Sequence, residues 1–163
     1  MDYNQLFKMQ KALDTHIEEK HGLLEVDLIE KKILAFLVEL GELANETRCF
    51  KFWSIKESSP KQKILEEYVD GVHFILSLGI DLGLDDSLED LHKTTVERSI
   101  TDQFLRVFEV TMSFKSEKVQ ATYHELFTQY ILLGELLGFS QKEVKEAYIE
   151  KNRVNFERQE QGY

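Results

Sequence analysis

The chain has 163 residues, 42% hydrophobic and 31% charged, with 30 acids against 20 bases and a net charge of −10. That is enough to bury a core without disulfides and too apolar for a disordered chain, and the acidic balance excludes an electrostatic nucleic-acid binder, which needs a basic face. Cys49 is the single cysteine, so no intramolecular disulfide forms, and Met1-Asp2-Tyr3-Asn4 lacks the basic and apolar regions of a signal peptide.

No apolar run approaches the roughly eighteen residues of a membrane span. The expectation is one cytoplasmic domain over 1–163 with neither membrane nor nucleic acid as partner. Apolar residues recur at steps of three and four, Pro occurs once and Gly eight times. This pattern predicts an all-α fold, a bundle of about six to seven helices.

In chain order, Leu6, Met9, Leu13 and Ile17 predict a first helix over 3–20, stopped by His21-Gly22. Asp27 is placed to cap a second over 28–47. Ser59 before Pro60 predicts the cap and first turn of a third, reaching about Leu78. Gly79, Gly83 and Asp85-Asp86 mark a turn, and a short helix is expected over 87–92. Thr101 is expected to open the next helix, ending near Phe114, and another runs from Glu117 to Leu137. Ser140 with Glu143 has capping-box spacing and predicts a last helix to about Glu157, with a frayed tail after it.

The chemistry-bearing pattern lies in the second and third helices. Glu39 and Glu42 are three apart and share a helix face, and Glu67 and Asp70 repeat the spacing one helix later. Glu39, Glu42 and Glu46 border the apolar face without Lys or Arg three or four residues away in their helix, whereas a solvated stripe normally mixes signs. If the two helices are antiparallel, Glu42 lies roughly 8 Å and Glu67 roughly 11 Å from their shared end, so the pairs face each other at similar depth. Converging carboxylates repel and raise one another's pKa values, and a hard divalent cation removes the conflict. Oxygen-only ligands favour Mg²⁺ or Mn²⁺ over Zn²⁺. Taken singly, such acid pairs are ordinarily solvated surface.

Glu39-x-x-Glu42 followed by Glu67-x-x-Asp70 resembles the signature of the MazG-like all-α nucleoside triphosphate pyrophosphohydrolases. Asn45-Glu46-Thr47-Arg48-Cys49-Phe50-Lys51-Phe52-Trp53-Ser54 is similar to the stretch after the first acid motif in dimeric all-α dUTPases. Asp70-Gly71-Val72-His73-Phe74-Ile75-Leu76-Ser77-Leu78-Gly79 resembles their third motif. Lys151-Asn152-Arg153-Val154-Asn155-Phe156-Glu157-Arg158-Gln159, with Gly162-Tyr163, resembles their last. Met9-Gln10-x-x-Leu13-Asp14 resembles the first, with Asp14 where that family carries Asn. The likeness runs from Met9 to Tyr163.

The resemblance implies hydrolysis of dUTP, with dUDP as a further substrate, to dUMP and pyrophosphate by a homodimer. Mg²⁺, with Mn²⁺ as substitute, would sit on Glu39, Glu42, Glu67 and Asp70, and Glu39 or Glu42 would serve as general base. Glu46 is an additional ligand or a solvated helix end. The substrate-binding candidates are Gln10, Asp14, Lys51, Trp53, His73, Lys151, Asn152, Asn155 and Arg158. Lys51, Lys151 and Arg158 are phosphate partners, Trp53 a stacking surface for the base, and Gln10 a reader of the uracil edge. Each also has a plain structural alternative: a solvated cation, a hydrophobic plug beneath a loop, an exposed amide, a packed helical His.

Three other readings compete. A related pyrophosphohydrolase for dCTP or a modified nucleotide would keep the metal site and differ only at the base. A di-iron helical protein uses Glu-x-x-His pairs, and Glu18-x-x-His21 and Glu89-x-x-His92 have that spacing, but at predicted helix ends. A helical interaction protein would leave the acids facing solvent.

Overall fold

The computed structural model describes residues 3–84 and 97–162. These form six helices: α1 (Tyr3–His21), α2 (Ile29–Thr47), α3 (Lys61–Asp81), α4 (Ile100–Ser116), α5 (Gln120–Leu136) and α6 (Gln141–Glu160). No strand occurs among the described residues, and the fold is all-α as the periodicity predicts. The short helix expected over 87–92, with Glu89 and His92, lies outside them. No helix among the described residues is long and apolar enough to cross a membrane.

The helix ends differ from expectation where side chains find better partners. Asp27 accepts from the Ile29 N–H at 3.0 Å, next to the start of α2. Ser59 does not cap α3, where Pro60 holds the N-cap position. Its hydroxyl donates to the Glu46 carboxylate, and its N–H to the Glu46 carbonyl at 3.0 Å. The loop is thereby tied back to the end of α2. Ser99, rather than Thr101, caps α4 by accepting from the Asp102 N–H at 3.1 Å. Thr101 instead donates to the Cys49 carbonyl at 3.2 Å. The helix expected from Glu117 starts at Gln120, because Glu117 and Val119 are extended. The Ser140–Glu143 capping box forms as read from sequence. Helix α6 runs on to Glu160, since Gln159 meets His21 at 3.0 Å and Glu160 meets His16 at 3.2 Å on α1.

Helix α3 is the centre of the bundle and packs against α1, α2, α5 and α6. Its buried residues face every side, from Leu65 and Tyr68 through Val72 to Ile75, Leu76 and Leu78. Tyr68 on α3 and Tyr130 on α5 stack with centroids 4.7 Å apart. Each hydroxyl donates to the other's backbone carbonyl, at 3.2 Å from Tyr68 and 2.8 Å from Tyr130. The rings come this close because Gly134 and Gly71 offer no side chain; a Cβ at either would collide with the opposite tyrosine. Tyr123 adds a third tie, its hydroxyl donating to the Ile75 carbonyl at 3.1 Å. Such buried hydroxyls stabilise because both bonding partners are satisfied.

The connection from α2 to α3 leaves the helix through Arg48, whose φ of 58° lies in the left-handed region. Its guanidinium donates to the Lys56 carbonyl at 3.0 Å and the Ser54 hydroxyl at 2.5 Å. The loop is shaped by this one side chain, while Phe52, Trp53 and Ile55 stand 93%, 63% and 105% exposed on it.

Candidate active site

Glu39 on α2 and Glu67 and Asp70 on α3 converge, with one carboxylate oxygen from each within 4.8 Å of the others. The convergence follows from the antiparallel contact of α2 with α3. Glu67 and Asp70 lie three apart on one face of α3, and Glu39 lies on the face of α2 that meets it. Burial pushes the Glu39 carboxyl up to about 7, and the charges of Asp70, Glu42 and Glu67 push the same way. Burial also raises Asp70, opposed by Lys151, whose ammonium lies 2.7 Å away. Glu67 is buried and pairs with Lys63 one turn earlier.

The two lysines leave the cluster one charge short, with Glu42 adding a fourth carboxylate one turn from Glu39. Three hard oxygen donors without nitrogen or sulfur fit Mg²⁺ or Mn²⁺. Glu42 itself is exposed and lies outside the close trio. Glu46 also lies outside it and is engaged by Ser59.

Glu39 and Asp70 of the trio line a cleft of about 400 Å³ between α1, α2, α3 and α6, together with Gln10, Asp14, Lys32, His73, Phe74, Ser77, Lys151, Asn155 and Arg158 among others. Its wall on α1 and α3 is a continuous hydrogen-bonded chain. Ser77 donates to Asp14 at 2.6 Å, and Gln10 donates through Nε2 to the other Asp14 oxygen at 2.8 Å. Gln10 Oε1 then accepts from His73 Nδ1 at 2.7 Å and from the Tyr148 hydroxyl at 2.8 Å. The His73 and Tyr148 rings stack at 4.2 Å. Burial, with help from Lys151, depresses His73 to about 3, so the imidazole is neutral at physiological pH. Burial raises Asp14, against the bonds from Ser77 and Gln10.

The structure therefore brings together Gln10, Asp14, Glu39, Asp70, His73, Lys151, Asn155 and Arg158 on one cleft. Asn152 is buried beside Tyr148 rather than in the lining. Lys51 and Trp53 lie on the exposed loop and not among the residues lining the cleft. Lys51 is engaged by Asn45 and sits 5.5 Å over the Phe50 ring. Sequence reasoning passed over Ser77, Lys32 and Tyr148. Ser77 was findable, being one and two turns beyond His73 and Asp70 on α3, and Lys32 shares Glu39's face at a spacing of seven. Lys32 contacts Asp81 at 2.6 Å and Glu18 at 3.3 Å. Tyr148 carries no sequence signal beyond ordinary helix periodicity. The other half of the di-iron spacing, Glu18 with His21, is at the end of α1, with Glu18 committed to Lys32 and His21 to Gln159.

A family model described as dUTPase matches residues 2–163, nearly the whole chain. No curated protein sequence matches the chain significantly.

Proposed function

The chain belongs to the dUTPase family and hydrolyses dUTP, and we propose that the reaction depends on Mg²⁺, yields dUMP and pyrophosphate, and runs in the cleft between α1, α2, α3 and α6. The observation that carries this reading is the convergence of Glu39, Glu67 and Asp70 at the edge of a cleft whose far wall is an ordered chain of polar side chains.

Glu39, Glu67 and Asp70 would hold the metal, with Glu42 in reach of a second ion or of a water. Bound Mg²⁺ supplies positive charge against the triphosphate and acidifies a water molecule. A Glu39 oxygen that the metal leaves free is placed to take the proton of the attacking water. Water forms the new P–O bond as the bond from that phosphorus to the α–β bridging oxygen breaks, and the proton goes to the Glu39 carboxylate. Lys151 and Arg158 face phosphate oxygens, the guanidinium offering two parallel donors. Asn155 supplies a donor and an acceptor to sugar or phosphate. Gln10 and His73 face the base.

A homodimer is part of the proposal. Leu34 and Val38 on α2 and Leu105 and Met112 on α4 are exposed large apolar residues on two helices that pack together. A patch of this kind is typical of a protein–protein interface. The exposed Phe52, Trp53 and Ile55 would then close over the neighbouring subunit's cleft, which gives Trp53 its place near a base.

The test is pyrophosphate release from dUTP, dCTP, dTTP and UTP, with Mg²⁺ and with EDTA. Release from dUTP alone, abolished by EDTA, is the expected result. Glu39→Gln should cost about 10²–10⁴-fold in kcat, the usual range for a lost general base. Equal release from dCTP would overturn the base assignment, and undiminished release in EDTA would overturn the metal site.

A further inference from the structure

Asp14 stands out because both its oxygens are already bonded within the protein, one by Ser77 and one by Gln10. A carboxylate is an acceptor only, so it fixes which end of the Gln10 amide faces it. With the amide reversed, Oε1 would face Asp14 Oδ1 at 2.8 Å, acceptor against acceptor. The amide nitrogen therefore points at Asp14, and Oε1 points at His73 and Tyr148. Since Oε1 can only accept, the His73 Nδ1 must carry the proton. His73 is neutral, and its proton is accounted for, so Nε2 keeps a bare lone pair. That atom is buried and has no hydrogen-bond partner, although His73 lines the cleft. An orphaned buried acceptor in a binding cleft is costly unless a ligand satisfies it.

We infer that Asp14 and Ser77 are positioning residues that lock His73 in the Nδ1–H tautomer, so that its Nε2 accepts the imide N–H of the uracil base. The inference rests on the dUTP reading above and adds a device for base choice to it. Uracil presents an N–H donor at N3, whereas cytosine presents a lone pair there. The locked imidazole bonds the first and repels the second. With the other tautomer, Nε2–H would favour cytosine instead. Specificity is thus set by two residues that need not touch the base. The carboxylate enforces what an amide at position 14 would not, because an amide can reverse and let Gln10 reverse with it.

The test is two-bond ¹H–¹⁵N correlation spectroscopy on protein labelled at histidine, with His73 identified by the signal missing from His73→Asn. Wild type should show Nδ1 protonated and Nε2 bare. Asp14→Leu, checked for wild-type helicity, should show both tautomers. Its kcat/KM ratio for dUTP over dCTP should fall about tenfold, mostly through the KM for dUTP, as expected for one hydrogen bond. Ser77→Ala should move both readouts in the same direction by less, and it serves if Asp14→Leu does not fold. A wild type that hydrolyses dUTP but carries Nε2–H overturns this inference alone. So does a folded Asp14→Leu, or failing that Ser77→Ala, with unchanged spectrum and unchanged selectivity. A wild type with the Nδ1–H spectrum and no dUTP hydrolysis overturns the functional reading on which the inference rests.

Discussion

At the scale of single residues, two perturbed side chains make opposite demands on pH. His73 is depressed to about 3 by burial, against an ordinary value near 6.5. The unfolded chain binds a proton that the folded chain refuses, so His73 destabilises the fold as pH falls from 6.5 toward 3. Between pH 7 and pH 5 this one group should remove about 2 kcal/mol from the unfolding free energy. Urea titrations at the two pH values should show that loss, and a folded His73→Gln should flatten it. Glu39 runs the other way. Its carboxyl is raised to about 7, so without metal its contribution is full below about pH 4.5 and is lost as pH rises through 7. A divalent cation must displace the Glu39 proton at pH 6 and need not at pH 8. The rise in melting temperature on adding Mg²⁺ should therefore be larger at pH 8 than at pH 6; an equal rise would detach Glu39 from the metal.

At the scale of helices, the sequence made the periodic elements legible and left the ends less so. Helices α1, α2 and α6 start within a residue or so of expectation, since apolar spacing and the Ser140–Glu143 box are local signals. Ser59 and Thr101 look equally good as caps, yet each is drawn to a partner distant in sequence: Glu46 for Ser59, Cys49 for Thr101. Cap chemistry is decided by tertiary competition in such cases. Ser99→Ala should therefore cost about 1 kcal/mol as a lost cap, whereas Thr101→Ala should cost less, which denaturant midpoints of the two variants will separate. In the cleft, the acid pairs were readable because spacing of three fixes a helix face. The height argument could not distinguish Glu39, in the trio, from Glu42, exposed one turn away, because that depends on how α2 is rotated about its axis. The role of Asp14 was unreadable for a different reason: it depends on Ser77 and Gln10 meeting it across two helices.

At the scale of the whole molecule, the exposed apolar residues of α2 and α4 mark the surface on which assembly is expected. Leu105→Asp should convert a dimer to a monomer in sedimentation velocity while helicity stays at the wild-type level, because the residue is 63% exposed and outside the core. A wild type that sediments as a monomer would refute the assembly. The close Tyr68–Tyr130 contact makes a contrasting prediction for the interior. Gly71→Ala forces a methyl group into the Tyr130 hydroxyl and should cost about 3 kcal/mol through overpacking and a strained hydrogen bond.

That same tyrosine pair has a consequence for how the enzyme fails. Glu67 and Asp70 flank Tyr68, so the residues proposed to hold metal grow from the backbone most tightly clasped by the rest of the bundle. Local opening draws on the least-contacted parts of a structure, such as the exposed segment around Phe52 and Ile55. Amide protons of α3 near Tyr68 and Val72 should then be among the last to exchange with deuterium, and those of the aromatic segment among the first. Heat should not release the metal-holding backbone ahead of the fold. Loss of Mg²⁺ binding and loss of helicity should fall on a single curve.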